Sequence, residues 1–130
     1  MNDITETQAT LLLVDDEASI LSSLRRLLRP AGYTIHMAES GAAGLDILER
    51  EPVDLVVMDW SMPGLSGRET LAALGRLNPL LPVVVCTGYL LDPEQAPGCA
   101  AVLQKPVSGE GMKAVVRGVL RGGRLGAQVR

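Results

Sequence analysis

Apolar residues follow two rhythms along this chain, and the two alternate. "TLLLV" (10–14), "VDLVVM" (53–58), "LPVVVC" (81–86) and "AAVL" (100–103) are short, nearly continuous apolar runs. Runs of this length suit strands buried on both faces. "YTIHMAES" (33–40) instead alternates and carries β-branched residues, which predicts one more strand. Between the runs the period lengthens. Ile20, Leu21, Leu24, Leu27 and Leu28 fall at helical spacing, and Pro30 and Gly32 end that helix. "SGAAGLDILEREP" (40–52) predicts a helix capped by Ser40, with Leu45, Ile47 and Leu48 inward and Pro52 as its stop. "SGRETLAALGRLNP" (66–79) predicts a third, capped by Ser66, with Leu71, Leu74 and Leu77 on one face. "SGEGMKAVVRGVLRGG" (108–123) predicts the last, with Met112, Val115, Val116 and Val119 inward and Gly122-Gly123 closing it.

Strand and helix alternate with connections of a few residues. Such a chain needs right-handed parallel crossovers and forms an α/β, doubly wound, five-stranded parallel sheet with helices on both faces. One stretch breaks the rhythm. "YLLDPEQAPGCA" (89–100) holds Pro93, Pro97 and Gly98, so a shortened or irregular fourth helix is expected there. The expected organisation is one domain over 10–122, a flexible leader over 1–9, and a tail over 123–130 with no evident role. No second core, linker or helix-turn-helix pattern follows Gly122.

Composition narrows the picture. The 130 residues suit one core, and 47% are hydrophobic. Phe is absent, and Tyr33, Trp60 and Tyr89 are the aromatic residues, so the core must be aliphatic. A net charge of −3 is too mild to predict nucleic-acid or membrane binding. The cations after Glu110 (Lys113, Arg117, Arg121, Arg124, Arg130) read as a solvated helix face. No apolar stretch is long enough for a bilayer span, and the acidic start differs from a secretory signal. Cys86 and Cys99 lack metal-ligand spacing and suit a reducing cytoplasm.

Chemistry gathers at the strand ends. In an open parallel sheet ligands bind outside the carboxyl ends of the strands. Those ends carry Asp15-Asp16, Asp59, Thr87 and Lys105. Three carboxylates against one lysine leave a charge of −2, and a divalent cation relieves that conflict. Oxygen-only donors suit a hard ion such as Mg²⁺. A carboxylate can accept a phosphoryl group, whose oxygens a metal, a lysine and a hydroxyl can neutralise. Each residue also has an ordinary reading. Asp15, Asp16 and Glu17 suit a helix start equally well. Thr87 could be a structural hydroxyl, Lys105 a solvated strand end, His36 a half-exposed strand residue, and both cysteines buried apolar groups. Asp59 resists this, because the next helix begins several residues later. The phosphate loop GxxxxGK[ST] is absent, so nucleotide binding has no support.

"LLLVDDE", "DLVVMDWSMPGLSG", "VVVCTG" and "LQKPV" together resemble the four blocks of a response-regulator receiver domain of bacterial two-component signalling. The resemblance covers 10–122. It implies a flavodoxin-like fold with strand order 2-1-3-4-5. It implies Asp59 as phosphoacceptor, Asp16 as a direct Mg²⁺ ligand, Asp15 acting mainly through water or by orienting the site, and the Ser61 backbone carbonyl completing the metal shell. Thr87 would bond the phosphoryl group and move towards it, and Lys105 would pair with a phosphoryl oxygen. The chain would act as a switch fed by a histidine kinase or histidine phosphotransfer protein, catalysing only its own phosphorylation and dephosphorylation. It would pass the signal on by protein contact, either alone or as part of a longer protein such as a hybrid kinase.

Two departures stand out. The family's usual aromatic residue three positions before the lysine is Val102 here, with Tyr89 as a partial substitute, and the interval from Thr87 to Lys105 is short. The missing aromatic motivates an alternative, a receiver-like adaptor that works without phosphorylation. A small haloacid-dehalogenase-type phosphotransferase is a further alternative, but Ser61 stands where its second aspartate belongs.

Overall fold

The computed structural model describes residues 9–122; the rest of the expected leader and the tail over 123–130 lie outside the described residues. Ala9 belongs to the domain: it is buried, and its carbonyl accepts a hydrogen bond from the Thr34 N–H. The elements are β1 (Thr10–Val14), α1 (Ala18–Leu28), β2 (Thr34–Ala38), α2 (Gly41–Arg50), β3 (Leu55–Asp59), α3 (Gly67–Leu77), β4 (Val83–Thr87), β5 (Ala101–Gln104) and α4 (Gly109–Gly122). All five strands are parallel, in the order β2-β1-β3-β4-β5. This is the doubly wound sheet expected. Between β4 and β5 there is a single 3₁₀ turn, Pro93–Gln95, rather than an α-helix. Gly98 takes a left-handed φ of 85° there, which a side chain would resist. Leu91, Ala96 and Cys99 nevertheless anchor the stretch in the core.

Strand alternation divides the core in two. Leu11, Leu13, Val57 and Val84 pack with Leu21 and Leu28 of α1 and with Met112, Val115, Val116 and Val119 of α4. Leu12, Val56, Met58 and Val85 pack with Leu71 and Leu74 of α3 and with the 91–99 stretch. Both predicted caps are present. The Ser40 hydroxyl accepts from Ala43 N–H, and Ser66 with Glu69 forms a reciprocal capping box. The Thr10 N–H and the Asp54 N–H exchange hydrogen bonds with the Asp54 carboxylate and the Thr10 carbonyl, each 2.8 Å, which pins β1 to the start of β3.

Three packing expectations change. Leu77 is 48% exposed, because the turn after α3 carries Leu81 into the core instead. Leu45, Ile47 and Leu48 are only half-buried, and Gly41 and Gly44 form the innermost line of α2. A Cβ on Gly44 would sit 3.1 Å from a Val14 methyl, so the helix lies close enough to the sheet that any side chain there would have to push Val14 aside. Ile20, Leu24 and Leu27 of α1 are also half-buried.

Candidate functional site at the carboxyl ends of the strands

The rows that point towards α1 and α4 continue past the strand ends. Leu13, Val57, Val84 and Leu103 pack on that face. Two residues further along each chain come Asp15, Asp59, Cys86 and Lys105. The ladder holds to the end: Asp15 N–H donates to the Ala38 carbonyl, Trp60 N–H to Cys86, and Lys105 N–H to Thr87 at 2.7 Å. Backbone pairing therefore aims these side chains at one place.

They meet there. The Lys105 ammonium lies 2.8 Å from Asp59 Oδ1, an ion pair in which the lysine is about a third exposed and the aspartate buried. Asp15, Asp16 and Asp59 each offer a carboxylate oxygen within 4.8 Å of the others. Asp15 is buried and Asp16 exposed. Asp15 Oδ1 accepts the Glu17 N–H at 2.9 Å. Burial pushes the Asp15 pKa up, with the charges of Asp59 and Asp16 adding to it; the Glu17 hydrogen bond and Lys105 oppose the shift without reversing it. For Lys105, burial favours the neutral amine, but the hydrogen bond to Asp59 and the carboxylates of Asp59 and Asp15 outweigh it, so its pKa rises. Burial pushes the Cys86 thiol up to about 12, which makes it a packing group rather than a nucleophile.

The donor set fits a hard divalent cation. All three donors are carboxylates, they carry one charge more than a dication neutralises, and exposed Asp16 leaves a side open to water. Asp15, Asp16 and Asp59 are the residues that would hold it. Ser61 lies two positions past Asp59 on the loop that follows β3, and that loop is folded back by Gly64 at φ 81° and by the Gly67 N–H bonding to the Trp60 carbonyl. The fold delays α3 until Gly67, so no helix caps Asp59. Trp60 is half-buried against α3, as expected for a neighbour of the site.

Thr87 sits elsewhere in the alternation. It continues the row of Val83 and Val85 and is buried. Its hydroxyl donates to the Tyr89 carbonyl at 3.2 Å and accepts the Tyr89 N–H at 3.3 Å. Val102 is buried on that same face, and Tyr89 is 51% exposed.

One feature had no signal in the sequence. A cleft of about 630 Å³ runs from Asp15, Asp59 and Lys105 along α1 to the start of α4, walled by Ile20, Leu24, Val107 and Met112. Helical periodicity assigns Ile20, Leu24 and Met112 to the core, and only the mutual placement of α1 and α4 shows that they also line a cavity.

Residues 11–117 match the family model of the response regulator receiver domain. The chain is 39% identical over 103 residues to the transcriptional regulatory protein GlrR of Escherichia coli (strain K12), covering 76% of this chain and 23% of that protein. It is 35% identical over 115 residues to the response regulator MprA of Mycobacterium sp. (strain KMS), covering 85% of this chain and 50% of that one. It therefore spans at most about half the length of these curated relatives. Among solved structures, a response regulator receiver domain protein from Clostridium thermocellum superposes with a TM-score of 0.79 at 29% identity, covering 87% of this chain and 94% of that one. The response regulator TrrA from Thermotoga maritima, solved in complex with Mg(2+)-BeF, superposes with a TM-score of 0.81 at 26% identity, covering 86% and 99%. No helix among the described residues is long and apolar enough to cross a membrane.

Proposed function

We propose that this chain, which belongs to the response-regulator receiver family, is a phosphoacceptor switch of two-component signalling that takes its phosphoryl group on Asp59. One observation carries the reading: a buried carboxylate at the end of β3 is paired at 2.8 Å with Lys105 and ringed by two more carboxylates from the end of β1. Asp59 attacks the phosphorus of a phosphohistidine; the P–N bond breaks and its electron pair returns to the imidazole. Lys105 follows the charge from the carboxylate to a phosphoryl oxygen. Asp15, Asp16, Asp59 and the Ser61 carbonyl would hold Mg²⁺, which supplies charge neutralisation at the phosphoryl oxygens. The Mg(2+)-BeF complex of the Thermotoga relative supports that assignment. Thr87 would leave the Tyr89 backbone and bond the new phosphoryl group, carrying the change to the opposite face of the sheet. The donor is a histidine kinase or histidine phosphotransfer protein, met in the cytoplasm, and the output is a protein contact without direct nucleic-acid binding. The only catalysis is the domain's own phosphorylation and dephosphorylation.

With Mg²⁺ and phosphoramidate, the intact mass should rise by one phosphoryl group, labile to hydroxylamine. Asp59→Asn should show no label while keeping its circular dichroism; a labelled Asn variant rejects the assignment. The buried valine at position 102 favours one second reading, an adaptor that needs no phosphate. Under it, Mg²⁺ and beryllofluoride leave Trp60 fluorescence unchanged.

A further inference from the structure

The cleft beside Asp59 is larger than a phosphoryl group needs. At about 630 Å³ it falls within the range of pockets that hold small organic ligands, roughly 300–1,000 Å³. Its two ends differ in chemistry. One holds Lys105 with Asp15 and Asp59, and the other is walled by Ile20, Leu24, Val107 and Met112. Of these four, Ile20, Leu24 and Val107 are only half-buried, so apolar surface remains uncovered inside a concavity that starts at the phosphoacceptor. With a divalent cation offsetting those carboxylates, a ligand that satisfies both ends has an anionic phosphoryl head and a short hydrocarbon body.

We infer that this cleft is a subsite for the leaving group of small acyl phosphates, and that the domain prefers donors with an apolar acyl chain over acetyl phosphate. The inference rests on Asp59 being the phosphoacceptor. In-line displacement sends the leaving group away from the attacking oxygen, and the cleft continues from Asp59 to the apolar walls. An Asp59 oxygen attacks phosphorus, the P–O bond to the acyl group breaks, and the acyl carboxylate departs with the electron pair. No redox partner enters. Burying the chain equally before and during transfer raises kcat/KM, with a gain of about fourfold for each fully buried methylene.

The test compares rates of Asp59 labelling by acetyl and butyryl phosphate in Mg²⁺ buffer. Butyryl phosphate should be faster, by up to about fifteenfold if both added methylenes are buried. In Ile20→Ser and Leu24→Ser, each first checked for a native thermal melt, the ratio of the two rates should fall towards one. A second measurement needs no reaction. Butylphosphonate should shift the methyl resonances of Ile20, Leu24, Val107 and Met112 more strongly than methylphosphonate at equal concentration. Equal rates for the two donors in the native chain overturn the inference, as does a ratio that both serine variants keep. A cleft that only seats a helix of a protein partner gives the first of those results. If no donor labels Asp59 yet the phosphonate shifts persist, the phosphoacceptor reading fails and the pocket stands.

Discussion

The two faces of the sheet are built differently. The α1/α4 face is closed by two full helices and carries Asp15, Asp59, Cys86 and Lys105 at its upper rim. The other face is closed by α2, α3 and an irregular stretch from 88 to 100, and it carries Thr87 and Val102. The carboxylates and the lysine thus sit on the side closed by two helices, and the segment with one 3₁₀ turn sits on the other. They meet at the end of β4, where Cys86 and Thr87 are chain neighbours on opposite faces, and where the Thr87 carbonyl holds the Lys105 N–H. Only one peptide of β4 separates the two faces at that point.

This contrast can be broken by measurement. The largest effect is expected in the cores. Leu13 and Leu91 are both fully buried, one on each face. Leu13→Ala should cost about 4 kcal/mol in urea unfolding and Leu91→Ala about 2–3, because the irregular stretch can collapse into the cavity and helix-backed strands cannot. A costlier Leu91→Ala would show that the second face is equally rigid. Beryllofluoride with Mg²⁺ should alter amide hydrogen exchange across 88–100 while leaving α1 and α4 unchanged, and Lys105→Ala should abolish that response; a change confined to α1 and α4 would invert the comparison. Next comes Thr87→Val, which removes a hydroxyl bonded twice to the Tyr89 backbone and should cost about 1 kcal/mol. The last test concerns pH and reads only in alkaline solution. The folded Cys86 thiol titrates at about 12 against an ordinary 9.0, so the unfolded chain loses its proton first. Stability should therefore decline as pH rises from near 9 towards 12, and this slope should become shallower in Cys86→Ala, with Lys105 supplying part of what remains. Iodoacetamide at pH 8.5 should label Cys86 far faster in urea than in the native protein.

Four strands were legible as runs of aliphatic residues that nothing else explains, β2 by its alternation, and the polar residues ending the four runs marked the site. The caps at Ser40 and Ser66 were legible because their chemistry is local. What stayed hidden depends on tertiary placement. Leu77 fits its helical stripe, and only the path of the following turn hands its place to Leu81. Gly41 and Gly44 look like weak helix residues until the closeness of α2 to Val14 and Thr70 gives them a purpose. Lys105 and Asp59 lie 46 positions apart, and their pairing needs the β3-β4-β5 order. The direction of the Thr87 hydroxyl depends on how the chain turns after β4, which no pattern encodes.

The alternation in β4 also limits what lengths the chain can tolerate. Removing one residue between Val83 and Cys86 would leave a strand of acceptable composition, since valines would still fill both cores. Yet it would exchange the outlooks of the next two positions, turning a hydroxyl towards the carboxylates and a thiol towards the irregular stretch. Substitutions in β4 would be graded in their effects, whereas a single-codon deletion would be all or nothing.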